Sequence, residues 1–192
     1  MKKGFTIVEV SILFIIFLIV AFLVAPLSLD NTQQVKNTSR WRIVQDEFKN
    51  IAYSITTQMK ENPKLTFNDT FEEILNSDVK KSIEPYKIVF MNGSIPDETY
   101  RFFDFKVTQS GAVVAYKLFQ NNRTPIKGIL MYDVNGKNKP NTWGKDVYGL
   151  NIYKDRFEPF GKTESIQIQK NDCSKNGTGL YCSNYYLTGG EF

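Results

Sequence analysis

Hydrophobic positions fall into three successive patterns along this chain. From residue 5 to residue 29 they are almost continuous, and the 25 residues carry a single charge, Glu9. As a helix the run would measure about 37 Å, against roughly 30 Å of bilayer hydrocarbon, so it predicts a transmembrane helix. From 31 to 59 the pattern turns amphipathic. Val35, Trp41, Val44, Phe48, Ile51, Ala52, Ile55 and Met59 recur at steps of mostly three and four, while Lys36, Arg40, Asp46, Glu47, Lys49 and Asn50 lie mostly elsewhere. The polar group Asp30-Asn31-Thr32 loosens the helix between the two parts, and Asn62-Pro63 ends it.

Beyond Pro63, Asp69-Thr70-Phe71-Glu72 has the form of a capping box and predicts a short helix over 70–77. After Pro85 the period shortens to two. Strands are predicted over 86–90, 100–107, 112–119, 126–132 and 148–153, with turns at Gln109-Ser110-Gly111 and at Asn121 to Pro125. The fold class read from this order is α+β, a long N-terminal helix packed against an antiparallel sheet. It implies an apolar membrane half over 5–29, a soluble half of the helix over 30–60 and one globular domain over 61–192.

The N-terminus changes the picture most. A lone carboxylate inside lipid costs roughly 2.5 to 3.5 kcal/mol or more, so Glu9 calls for a partner. A cut after Gly4 would create one, because Glu9 lies one helical turn beyond the new α-amino group of Phe5. Between staggered neighbours, Glu9 of one chain would meet the Phe5 amine of the next and set their register. The basic residues Lys2 and Lys3 favour a cytoplasmic N-terminus, with the soluble part across the inner membrane. The run is too long for a secretory signal peptide and offers no good small-x-small cleavage site.

The segment Gly4-Phe5-Thr6-Ile7-Val8-Glu9, behind the short basic stretch Met1 to Gly4, resembles the type IV pilin family, which includes the pseudopilins of type II secretion. The resemblance implies a leader over 1–4, cleavage after Gly4 and methylation of the Phe5 amine by a prepilin peptidase. It further implies an N-terminal helix, often kinked by a proline such as Pro26, that packs in a helical filament core. The partners implied are the peptidase, other pilin or pseudopilin subunits, an inner-membrane assembly platform and membrane lipid. The location implied is a single-pass inner-membrane protein that becomes a periplasmic or extracellular filament.

Composition adds limits. The net charge of +4 falls to +2 if Lys2 and Lys3 leave with the leader, too near neutral to argue for nucleic acid. The densest basic stretch, Lys36 to Arg42, sits beside the apolar run, where lipid head groups or filament packing account for it; a DNA-binding competence pilin is the weaker alternative. Cys173 and Cys182 are the only cysteines, and in an oxidising compartment they predict a disulfide that pins the C-terminal tail. There is no histidine, no nucleophile elbow and no phosphate loop, so the chain reads as a non-enzyme.

One soluble segment, 133–149, is rich in Asp, Asn and Gly. Asp133, Asn135 and Asp146 offer oxygen ligands for calcium, although the spacing is not that of an EF-hand and Lys137, Lys139 and Lys145 dilute the charge. Similarity to pseudopilins that bind calcium in a loop between their last strands strengthens that reading. The leading reading, with calcium as its alternative, is that the Asp and Asn side chains cap the turns of an ordered loop, with Trp143 packed beneath. A different class of function, a membrane-anchored periplasmic binding or adhesion domain that never polymerises, predicts that Met1 is retained.

Overall fold

The computed structural model describes residues 7–120 and 124–190, except for the side chains of residues 8, 9, 21 and 23–31. It comprises two compact units, residues 1–36 and 37–192. The first helix, α1 (Ile7–Glu61), ends one residue before Asn62-Pro63, where the sequence places its stop.

The membrane-length apolar half expected of this helix is not found. Among the described residues no helix is long and apolar enough to cross a membrane. The apolar side chains described near its start run over 10–20, broken by Ser11, whose hydroxyl donates to the Ile7 carbonyl (2.8 Å). Such a stretch rises about 16 Å, roughly half the hydrocarbon thickness. The longer stretch, 32–61, carries buried apolar residues on one side and charged ones on the other, so it is amphipathic rather than apolar. The α+β class and the antiparallel sheet stand. The long apolar N-terminal helix is corrected to a short apolar segment and a long amphipathic one.

Within residues 37–192, Trp41, Val44, Phe48, Ala52 and Ile55 are buried, and Ile51 and Met59 half-buried, as the helical period requires. Val35, assigned to the same face, is 58% exposed. The next helix, α2 (Phe67–Ser77), starts three residues earlier than the capping box suggests. Thr66 is the cap, taking the Asp69 N–H on its hydroxyl oxygen (3.2 Å) and donating that hydroxyl to the Asp69 carboxylate (2.6 Å). Phe67, Phe71 and Leu75, four apart, form its buried stripe.

Six strands follow in simple antiparallel order: β1 (Val79–Ile83), β2 (Phe105–Thr108), β3 (Val113–Leu118), β4 (Ile126–Asp133), β5 (Val147–Tyr153) and β6 (Phe157–Pro159). β3, β4 and β5 fall where the alternation places them, to within a residue or two. β1 and β6 are additional to the expected set. The strand expected at 86–90 is not one: it holds a single bridge, Val89 with Thr142. Of 100–107, only the end enters the sheet, as β2.

The physical reason is that both faces of the sheet are covered. Val114, Leu130, Tyr132, Tyr148, Leu150 and Ile152 face α1 and α2. Val113, Ala115, Ile129, Met131 and Val147 face a second cluster built with Phe90, Phe102, Trp143, Phe160 and Leu180. The apolar residues of 86–105 therefore serve as a lid on the second face, and their alternation reflects that role rather than ladder pairing. The chain closes with α3 (Ile166–Asp172), α4 (Cys182–Tyr185) and a 3-10 turn (Tyr186–Thr188).

Candidate functional site

The β4–β5 connection brings Asp133, Asn135 and Asp146 together, as the composition of 133–149 suggests. Asp133 is the last residue of β4, and Asp146 immediately precedes β5, so register alone sets them at the two feet of one loop. Val134 N–H donates to the Asp146 carbonyl (3.0 Å), and Gly136 N–H to the Asp133 carbonyl (3.4 Å). Both carboxylates are fully buried. Each is held by donors. The Tyr86 hydroxyl donates to Asp133 Oδ2 (2.6 Å) and the Asn135 N–H to Asp133 Oδ1 (3.1 Å). Thr142 N–H donates to Asp146 Oδ1 (2.7 Å), while Asn141 N–H (2.8 Å) and Asn135 Nδ2 (3.2 Å) share Asp146 Oδ2.

Asn135 thus clasps the two feet, one with its backbone and one with its side chain. The loop between them turns on a cis Lys139-Pro140 bond and on Asn141 at φ 50°, a conformation asparagine tolerates better than most residues. From α1, Asn37 Nδ2 donates to the Lys145 carbonyl (3.2 Å) and Arg40 to the Val134 carbonyl (3.3 Å). Trp143, fully buried, packs on the second face against Phe160 and Tyr100, as expected of it.

Burial dominates the electrostatics. It pushes the Asp133 carboxyl up to about 8, helped by the charge of Asp146 and opposed by the Tyr86 hydroxyl and the N–H groups of Asn135 and Gly136. It pushes Asp146 up to about 6, opposed first by the backbone N–H groups of Thr142 and Asn141. The Tyr86 phenol is raised well above its ordinary range by burial and by Asp133 beside it. Two carboxyls placed this way are shut away from any substrate.

The residues do not fit calcium well. Calcium takes six to eight oxygens with free lone pairs. Here two carboxylates are engaged by five N–H or O–H donors, and Asn135 Oδ1 is the one buried acceptor of the set without a partner. Among the described residues no group of three or more His, Cys, Asp or Glu could hold a metal ion. The arrangement is that of a hydrogen-bonded clasp which fixes the loop.

Cys173 and Cys182 form the expected disulfide, with Cα atoms 4.9 Å apart. The ring it closes is ordered by Asp172, whose carboxylate accepts from the N–H groups of Thr178 (2.9 Å) and Tyr181 (2.8 Å). α1 then grips the segment that follows. Trp41 Nε1 donates to the Ser183 carbonyl (2.8 Å), and the Arg42 guanidinium donates twice to the Tyr186 carbonyl (3.1 and 2.8 Å). The bonds of Tyr86 and Asn37, and those of Arg40 and Arg42, which the sequence offered only as a basic stretch for lipid head groups or filament packing, escaped the sequence reading because their partners lie more than forty residues away, and most of those partners are backbone carbonyls that no side-chain pattern announces.

Gly4 and Phe5 lie outside the described residues, and so does the side chain of Glu9, whose backbone belongs to α1. Comparison with family models, with curated proteins and with solved structures gives no match.

Proposed function

We propose that this chain is a structural subunit of a type IV pilus-like or type II secretion filament, processed after Gly4 and assembled through its N-terminal segment. The observation that carries the reading is the sequence Gly4-Phe5-Thr6-Ile7-Val8-Glu9 behind a basic tetrapeptide. The α+β domain of 37–192 supports it indirectly. Its polar clasp is closed to substrate and its tail is pinned by a disulfide, features of a rigid building block. In this reading Phe5 and Glu9 are the assembly pair, Gly4 gives the peptidase close access to the backbone, and the other subunits and the assembly platform are the partners. Processing takes place at the inner membrane with Lys2 and Lys3 on the cytoplasmic side. That placement rests on the sequence, since no described helix is long and apolar enough to cross.

The test is the intact mass and N-terminal peptide spectrum of the chain from its native membrane. A chain beginning at N-methylated Phe5 supports the reading. A chain beginning at Met1, from cells with active prepilin peptidase, overturns it in favour of an anchored binding domain. A second test follows from the pairing: Glu9→Ala should impair filament incorporation without loss of the protein, and normal incorporation would refute the role of Glu9.

A further inference from the structure

A cleft of about 500 Å³ opens between α1 and α2 above the sheet. Its floor is apolar, made by Phe48, Ile51, Ile74, Leu75, Val114 and Tyr132. Its rim carries two exposed carboxylates, Glu47 from α1 and Asp78 at the end of α2, and no lysine or arginine lines it. A volume of this order falls within the range of ligand sites.

The charged groups that line this cleft are both acidic, and the nearest lining cation, Arg40, lies only in the second hollow further along α1. α2 carries Asp69, Glu72 and Glu73, and its last turn has no basic residue. Asp78 caps the C-terminal end, where the helix dipole already favours a cation and disfavours a carboxylate. A basic side chain does lie at that end, since Lys106 donates to Asn76 Oδ1 (2.9 Å) in the last turn of α2, but its other partners are the Tyr116 hydroxyl (3.1 Å) and Asp104 (3.7 Å), and it does not line the cleft. Deeper in, the Tyr132 phenol is raised by burial and also by Glu47 and Asp78, and lowered by the Ser110 and Thr108 hydroxyls. The carboxylates therefore act on the interior of the cleft and not only on solvent.

The cleft is also elongated. A second hollow of about 180 Å³ shares Glu47, Ser110 and Tyr132 with it and continues along α1 past Val44 and Ile43 towards Arg40. From Ile43 to Ile51 the helix rises about 12 Å, the span of three to four extended residues. Ile43 is 65% exposed beside it, an apolar shoulder for a second side chain.

We propose that this groove docks an extended segment of a protein partner in which a lysine or arginine is flanked by apolar side chains. The apolar neighbours rest on Ile74, Ile51 and Ile43, and the cationic head lies between Glu47 and Asp78. The carboxylates supply orientation and selectivity, and the floor supplies affinity. The proposal stands whether or not the chain polymerises.

Fluorescence anisotropy of the full chain at low salt tests it. The probes are a fluorescein-labelled amidated peptide Leu-Arg-Leu-Lys-Leu and its counterpart Leu-Glu-Leu-Glu-Leu. The expected result is saturable binding of the basic peptide, at least about tenfold tighter than the acidic one. The double variant Glu47→Gln, Asp78→Asn should weaken the basic peptide about tenfold, as two partly exposed charge contacts would. Both side chains are exposed, so the variant keeps its fold, which near-UV circular dichroism verifies. Equal binding of the two peptides, an unaffected double variant, or no saturable binding would each overturn the proposal.

Discussion

Trp41 is where α1, the sheet and the C-terminal tail meet, and Trp41→Phe isolates what holds them. The indole is fully buried. It stacks on Tyr148 with ring centroids 4.8 Å apart and planes 13° from parallel, and its N–H is the donor to the Ser183 carbonyl. Phenylalanine keeps an aromatic ring but removes that donor. Ser183 is itself fully buried, so its carbonyl loses the indole donor with no water to replace it, a cost of about 1–3 kcal/mol. The smaller ring leaves a void worth about 1 kcal/mol more. A loss of about 2–4 kcal/mol in a domain of this size lowers the melting temperature by about 5–15 °C. Thermal unfolding of the oxidised full chain, followed by near-UV circular dichroism, reads it directly. Ile43→Ala, at an exposed position on the same helix, is the reference. If Trp41→Phe shifts the transition no further than Ile43→Ala, the contact between α1 and the tail carries no weight and the argument fails.

The clasp predicts a pH dependence. Asp133 and Asp146 titrate above the ordinary carboxyl value, so the fold favours their neutral forms. Their contribution is whole below about pH 4 and is lost as pH rises through about 6 and then about 8. The melting temperature should fall from pH 5 to pH 9, and Asp133→Asn, which cannot ionise, should flatten that fall; equal slopes in the two proteins would refute the assignment. Reduction of the Cys173–Cys182 disulfide, which closes a short loop, should cost about 2–3 kcal/mol, and an unchanged melting curve in reductant would show that the tail is held by packing alone. Because five donors already engage the clasp carboxylates, isothermal titration with millimolar calcium should give no heat and no shift in melting temperature; saturable heat would mean that the loop opens to bind the ion.

Much of the domain over 37–192 was legible because its local patterns are strong. The period of Trp41, Val44, Phe48 and Ile55 matches a helix with one buried stripe, and each of these residues is buried. β3, β4 and β5 read as strands because β-branched and aromatic residues run between clear turn signals. Asp133, Asn135 and Asp146 were legible as a group because loops that must turn tightly concentrate such residues. Their use was legible only as a choice between turn capping and calcium. Whether an oxygen faces an N–H or a cation depends on which backbone groups converge on it, and Thr142, Asn141 and Tyr86 arrive only through the fold.

The misread segments share one cause. At 86–90 and 100–104 the aromatic residues alternate as they would in a strand, yet they cover the second face of the sheet. Alternation reports that a segment has a buried side; it does not report what buries it. β1, with Lys80, Lys81 and Ser82 exposed at an edge, shows no apolar face and so no signal. The N-terminal run is a separate case: its apolar composition predicts a membrane-length span, and among the described residues no helix is long and apolar enough to cross a membrane.

By itself, the sequence determined the period of each strong element, the stop at Pro63, the cysteine pairing available to a chain with two cysteines, and the motif from Gly4 to Glu9 on which the filament reading rests. These are properties of residues close together in the chain. Tertiary structure alone decided that the sheet is buried on both faces, that Trp41 and Arg42 hold the tail, that the loop carboxylates form a closed clasp, and that Glu47 and Asp78 flank one groove. Each of those joins residues distant in sequence, and the burial and convergent donors that define them exist only once the chain has folded.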